Sequence, residues 1–211
     1  MLSEELSLYK TASELSLENA KQWIEDAKKL IKNSSFGHAS ALLRFSTEEI
    51  AKAYVCWITS EGIWPIENKV VRDVFRKHIA KNQVIIGVLY GLIWREKHQT
   101  QIEPSDKEII EAYAQLKQVM ASTERMRQKA IYVNLHLNRK EIETPLAIPY
   151  KEVKSLLKLA ELLLMHVKHY IKTAPESSKE AFRQVFSELP DEVWETGEIP
   201  IEWFRKKKGN S

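Results

Sequence analysis

The chain has 211 residues, 44% hydrophobic and 29% charged. That composition excludes a wholly disordered chain, because it carries enough apolar surface to build a core. A net charge of +3 and a pI near 8.8 admit an acidic partner such as RNA, without the strong basic excess of a dedicated nucleic-acid wrapper. Cys56 is the single cysteine, so intrachain disulfides and cysteine-rich zinc sites are excluded, and a reducing compartment fits. Residues Met1 to Glu5 lack the basic and apolar regions of a signal peptide. The longest apolar run, Val84 to Trp94, is well short of the ~20 residues that span a bilayer. These features predict a cytoplasmic protein with no membrane span.

The period along the chain is helical. A first helix is predicted over 16–32, with Trp23, Ala27, Leu30 and Ile31 on one face, ended by Asn33-Ser34-Ser35 and Gly37. A second runs over 37–60 and is closed by Gly62. A third runs over 67–97, with Val71, Val74, Phe75, Ile79, Ile85, Ile86, Leu89 and Leu92 apolar. In it Gly87 and Gly91 lie four apart, a spacing that lets another helix approach closely. Ser105, with Glu108 at capping-box spacing, starts a fourth helix that reaches about Ala130. From Tyr132 to Pro149 the pattern breaks into loop with a short extended piece. A fifth helix covers 150–172, with Val153, Leu156, Leu157, Ala160, Leu163, Leu164, Val167 and Ile171 in a continuous stripe. A short sixth covers 177–189, and the tail ends in Arg205-Lys206-Lys207-Lys208. The expected fold is all-α, an up-and-down helical bundle over 1–174 with a helical extension and basic tail over 175–211.

A bundle by itself does not define a function; polar residues on apolar stripes are more informative. In the second helix Leu42, Phe45, Ser46, Glu49, Ala53, Cys56 and Trp57 line up at three- and four-residue steps, which puts Glu49 in the stripe with Lys52 one turn on. Arg44 and Glu48 are spaced for a second ion pair. In the third helix His78 and Asn82 interrupt the row Val71, Phe75, Ile85, Leu89. In the fourth, Arg127 interrupts Tyr113, Leu116, Met120, Thr123, Ile131, with Arg125, Lys129 and Tyr132 as neighbours. A buried carboxylate needs a cation or several donors. The economical arrangement therefore brings Glu48 and Glu49 to Arg127, with His78 nearby. The plain structural account is an ion-pair network that fixes helix register.

Glu48-Glu49-Ile50-Ala51-Lys52-Ala53, preceded by His38-Ala39 and Leu42, resembles the second helix of HEPN-superfamily proteins. His78-Ile79-Ala80-Lys81 and Arg127-Gln128-Lys129-Ala130-Ile131-Tyr132-Val133 resemble the abortive infection protein AbiV family within it. The resemblance covers roughly residues 19–171. It implies an all-α bundle, a homodimer formed through the site helices, and a role in phage defence or toxin systems. It also implies metal-independent cleavage of RNA in many members, marked by an arginine, four to six residues, and a histidine. The arginine would stabilise phosphorane charge, and the histidine would act as acid/base or orient the 2′-OH. Here Arg72 and His78 match that spacing but lie early in the third helix. At the later position Arg127 is followed by Tyr132, a hydrogen-bond donor but a poor base at neutral pH.

The candidate catalytic set is therefore Arg127, Tyr132, His78, Arg72 and Glu49, with Glu49 holding Arg127. Lys52, Lys81, Arg125 and Lys129 are candidate RNA contacts. No cofactor or metal is called for: His166 and His169 sit three apart on a helix without a carboxylate-rich partner helix, and no glycine-rich phosphate loop is present. The basic tail with Trp203 and Phe204 could stack on bases, though a solvated tail is the simpler reading. The leading function is a defence effector acting on RNA, with a phage-encoded or cognate protein as a further partner. The alternative is a non-catalytic helical module that binds a protein or nucleotide and uses the polar cluster structurally.

Overall fold

The structure is a computed structural model, and it describes residues 2–64, 69–78, 80–85, 88, 125–136, 138 and 140–187. It is an all-α bundle with one small hairpin. Its helices are α1 (Leu2–Lys32), α2 (Phe36–Ser60), α3 (Lys69–Arg76), α4 (Tyr150–Thr173) and α5 (Glu176–Ser187). Residues 80–85 and 125–131 are also helical. Residues 105–124 of the expected fourth helix, the pair Gly87 and Gly91, and the tail with Trp203 to Lys208 lie outside the described residues. Among the described residues no helix is long and apolar enough to cross a membrane.

Helix α2 is the central element. It is buried on nearly every side, with Leu43, Ile50, Ala53, Val55 and Cys56 at 0–2% exposure. Ile24 and Ala27 of α1, Ala39 and Leu43 of α2, and Val153 and Ala160 of α4 form one core cluster. Ala20, Ile50, Ala51, Leu163 and Val167 belong to a second. Alanines at these crossings let the backbones approach, and two serine hydroxyls use that closeness. Ser13 Oγ donates to the Ala53 carbonyl at 2.8 Å and Ser46 Oγ to that of Ala20 at 2.9 Å. Both hydroxyls are buried and satisfied, so they cost little where an unpaired one would cost about 1–3 kcal/mol.

The helix ends follow backbone chemistry. In α1, Ser35 N–H donates to Leu30 O at 2.9 Å and Ser34 N–H to Ile31 O at 3.0 Å. Ser34 has φ +60°, so a serine fills the left-handed position that glycine usually takes in this closing motif. Gly37 does not end α1, as the sequence suggested; it lies inside α2, buried beneath Pro145. At the other end of α2, Ile63 N–H reaches Ile58 O and Gly62 N–H reaches Thr59 O, both at 3.0 Å, with Gly62 at φ +64°. Gly62 closes α2 as its sequence indicates. Beyond the bundle, β1 (Asn134–His136) pairs antiparallel with β2 (Glu141–Glu143). A 3-10 turn at Pro145–Ala147, capped by Thr144 Oγ1, then returns the chain to α4.

The α2 core also carries a pH-dependent contribution to stability. Burial pushes the Cys56 thiol up to about 12, and burial raises the Tyr54 phenol as well. Both groups are neutral acids in the fold and ionise more readily in the unfolded chain. Their stabilisation is therefore complete below the unfolded-state values and is lost as pH rises above them, from about pH 9 for the thiol. The unfolding free energy from urea titration is expected to fall between pH 9 and pH 11, by up to about 1.4 kcal/mol per pH unit for the thiol. Cys56→Ala should flatten that slope. An equal slope in both proteins would remove Cys56 from the account.

Candidate functional site

The site forms where α2 meets the two chain segments that carry the other polar intruders. Arg44, Glu48, Ala51 and Val55 follow one another at three- and four-residue steps, with Thr47 beside Glu48, and all five are buried. Glu48 thus lies on a buried face although it is outside the stripe read from the sequence. Helix α3 packs Val71 and Val74 against Val55 and leaves Phe75 46% exposed. The helical run breaks at Lys77, and the chain resumes helical geometry at His78.

Three side chains converge on the Glu48 carboxylate. His78 Nδ1 lies 2.9 Å from both Oε1 and Oε2. Lys81 Nζ donates to Oε2 at 3.2 Å, and Arg127 Nε donates to Oε1 at 3.1 Å. Arg127 also reaches His78 directly, with Nη2 2.8 Å from Nε2. Glu48 is 4% exposed and Arg127 7%, whereas the His78 side chain keeps 41% of its surface open. Two cations and one carboxylate leave the cluster formally one charge positive. The buried members satisfy one another, which is the condition for placing charge in a core, and the histidine is the member that meets solvent.

The placements differ in part from those expected. Arg127, His78 and Lys81 come together. The acceptor that holds Arg127 is Glu48 and not Glu49, which pairs with Lys52 one turn away. Arg44 does not pair with Glu48 either; its Nη2 lies 4.0 Å from Glu152 Oε1 of α4. Tyr132 stands outside the cluster, 51% exposed, with its N–H on Gln128 O. Positions 127 and 132 are about 140° apart around a helix, so side chains at that spacing point to different faces. Arg72 is exposed on α3, and the break at Lys77 separates it from His78, so the literal spacing match does not by itself make a shared site. Lys81 is buried on Glu48, which removes it as a surface contact for phosphate. Arg125 is exposed and donates to Glu143 Oε1 at 3.0 Å, and Lys129 is half-buried. His166 and His169 lie on α4, and no group of three or more potential metal ligands occurs among the described residues.

The described residues form an all-α bundle in which Glu48, Lys81 and Arg127 are buried together and His78 stands at the open edge of the cluster. The HEPN_AbiV family model, described as AbiV, matches residues 8–166. The chain belongs to the AbiV family of HEPN abortive infection proteins. No curated protein and no solved structure matches the chain.

Proposed function

We propose that this protein is an abortive-infection effector that cleaves RNA without a metal ion, at the site formed by His78 and Arg127. The observation that carries the reading is the 2.8 Å contact between Arg127 Nη2 and His78 Nε2 on a ring that remains open to solvent. A base and a permanent cation side by side are what attack by an RNA 2′-OH requires. His78 takes the 2′-OH proton, the 2′-oxygen bonds to phosphorus, and the phosphorus bond to the 5′-oxygen breaks. The departing 5′-oxygen takes its proton from water, leaving a 2′,3′-cyclic phosphate and a 5′-hydroxyl. Arg127 stabilises the charge that builds on the phosphoryl oxygens. Arg72 and Arg76, four apart and exposed on α3, are proposed as backbone contacts that lead RNA to His78, with Arg125 on the opposite segment. Family membership supports the defence role, and the reading includes a cytoplasmic homodimer.

One observation favours the alternative of a non-catalytic interaction module: Glu48, Lys81 and Arg127 are all more than nine-tenths buried and paired with one another. Incubation of purified protein with structured and unstructured RNA in EDTA separates the two. The ribonuclease reading expects cyclic-phosphate ends, with His78→Ala lowering the rate by about 10²–10⁴-fold while its circular dichroism stays that of wild type. Intact RNA under all conditions supports the interaction module.

A further inference from the structure

We infer that Glu48 is a positioning residue that locks His78 in its Nδ1–H tautomer and leaves Nε2 as the proton-accepting nitrogen. The inference follows from which atoms can donate. A guanidinium has only N–H donors and accepts no hydrogen bond. Arg127 Nη2 lies 2.8 Å from His78 Nε2, so Nε2 must present its lone pair. The ring proton then sits on Nδ1, which faces both carboxylate oxygens of Glu48 at 2.9 Å. The reverse tautomer would set an N–H against an N–H on the Arg127 side and a lone pair against a carboxylate on the other. Both contacts are repulsive, and both are relieved by the one assignment. A carboxylate that holds one imidazole nitrogen while the other works is a recurring way to fix ring orientation and tautomer.

Glu48 is itself held, since Lys81 and Arg127 donate to its two oxygens. It therefore cannot follow the ring if the ring turns. Arg127 guards Nε2 in the unbound protein, and an incoming 2′-OH takes over its hydrogen-bonding place there. This catalytic consequence rests on the ribonuclease reading; the tautomer itself does not.

Long-range ¹H–¹⁵N correlation spectra of the ¹⁵N-labelled full chain, recorded without RNA, test the assignment. A pyrrole-type Nδ1 and a pyridine-type Nε2 are expected for His78, identified by its loss in His78→Ala. An Nε2–H ring, a doubly protonated ring, or averaging between tautomers at neutral pH overturns the inference. In Glu48→Gln, which keeps the side-chain shape, averaged ring signals are expected. Cleavage at saturating RNA should drop by about 10²-fold with KM unchanged. An unchanged ring signature in folded Glu48→Gln overturns the role of Glu48. Should that variant not fold, Arg127→Lys withdraws Nη2 but leaves Glu48 in place. There the Nδ1–H signature must persist, and its loss would assign tautomer control to Arg127 instead. A protein that holds the tautomer and cleaves nothing retains this inference and loses the ribonuclease reading. Cleavage by a protein with the other tautomer does the reverse.

Discussion

Replacing Glu48 by alanine is expected to destabilise the fold by about 3–5 kcal/mol, the cost of removing one partner from a buried ion cluster. Lys81 and Arg127 are both buried and both donate to this carboxylate, so its loss leaves two cations in the core without their shared acceptor. The neighbouring Glu49→Ala should cost about 1 kcal/mol, because Glu49 pairs with Lys52 one turn away and both remain partly solvated. Urea titrations of the two variants measure the contrast. The order of the two effects is the informative quantity: equal costs, or a larger cost at Glu49, would mean that the polar core is organised around the other carboxylate. A double variant, Glu48→Gln with Lys81→Met, removes one anion and one cation together. It should recover part of the loss, since replacing both members of a buried pair is much less costly than orphaning one.

The second large effect is at Gly37, where the sign is diagnostic. In an ordinary exposed helical position, glycine to alanine stabilises by about 1 kcal/mol. At Gly37 an added Cβ would overlap the Pro145 carbonyl oxygen and lie 2.6 Å from its carbon and 2.8 Å from the Pro145 Cβ. Those are mainly backbone atoms of the turn that returns the hairpin to α4, and they cannot swing aside as a flexible side chain could. Gly37→Ala is therefore expected to destabilise by about 3 kcal/mol, the upper part of the overpacking range. It should also raise hydrogen exchange in residues 144–148. Stabilisation by Gly37→Ala would show that the turn does not rest on the first turn of α2.

Much of the fold is legible in the sequence because its strongest signals are local. The stripe from Val153 to Ile171, read as a helix over 150–172, marks α4 within one residue of its bounds, Tyr150–Thr173. Gly62 marks the end of α2 because a left-handed residue is needed there. Helix α1 was harder to read: it begins at Leu2, well before the predicted start at Ser16. Its N-terminal half buries Ser13, whose hydroxyl donates to the Ala53 carbonyl of α2, and a small hydroxyl residue satisfied by a neighbouring backbone gives no apolar period. The break at Lys77 between α3 and His78 likewise has no glycine or proline to announce it.

The site was legible as a set of intruders and less so in detail. That Arg127, His78 and a carboxylate of the Glu48-Glu49 pair belong together followed from the cost of burying each alone. A single buried stripe on α2 would select Glu49 over Glu48. A central helix surrounded by α1, α3 and α4 buries several, and the row Arg44, Glu48, Ala51, Val55 was the signal that could have found Glu48. Tyr132 and Arg72 match the motif in linear spacing alone: Tyr132 is half-exposed outside the cluster, and Arg72 is exposed on α3, across the break at Lys77 from His78. What spacing along one helix cannot encode is the contact across helices, here 49 residues apart, that joins Arg127 to His78.

In the proposed function, His78 and Arg127 work as one unit on RNA. The most direct measurement is the cleavage rate in EDTA of wild type, His78→Ala, Arg127→Lys and the double variant, each shown to be folded. Residues that act together give non-additive losses. Expected are cleavage by wild type, a loss of at least about 10²-fold in each single variant, and a double variant no slower than the slower single one. Wild-type cleavage that His78→Ala leaves unchanged, or losses that multiply in the double variant, would contradict that joint role.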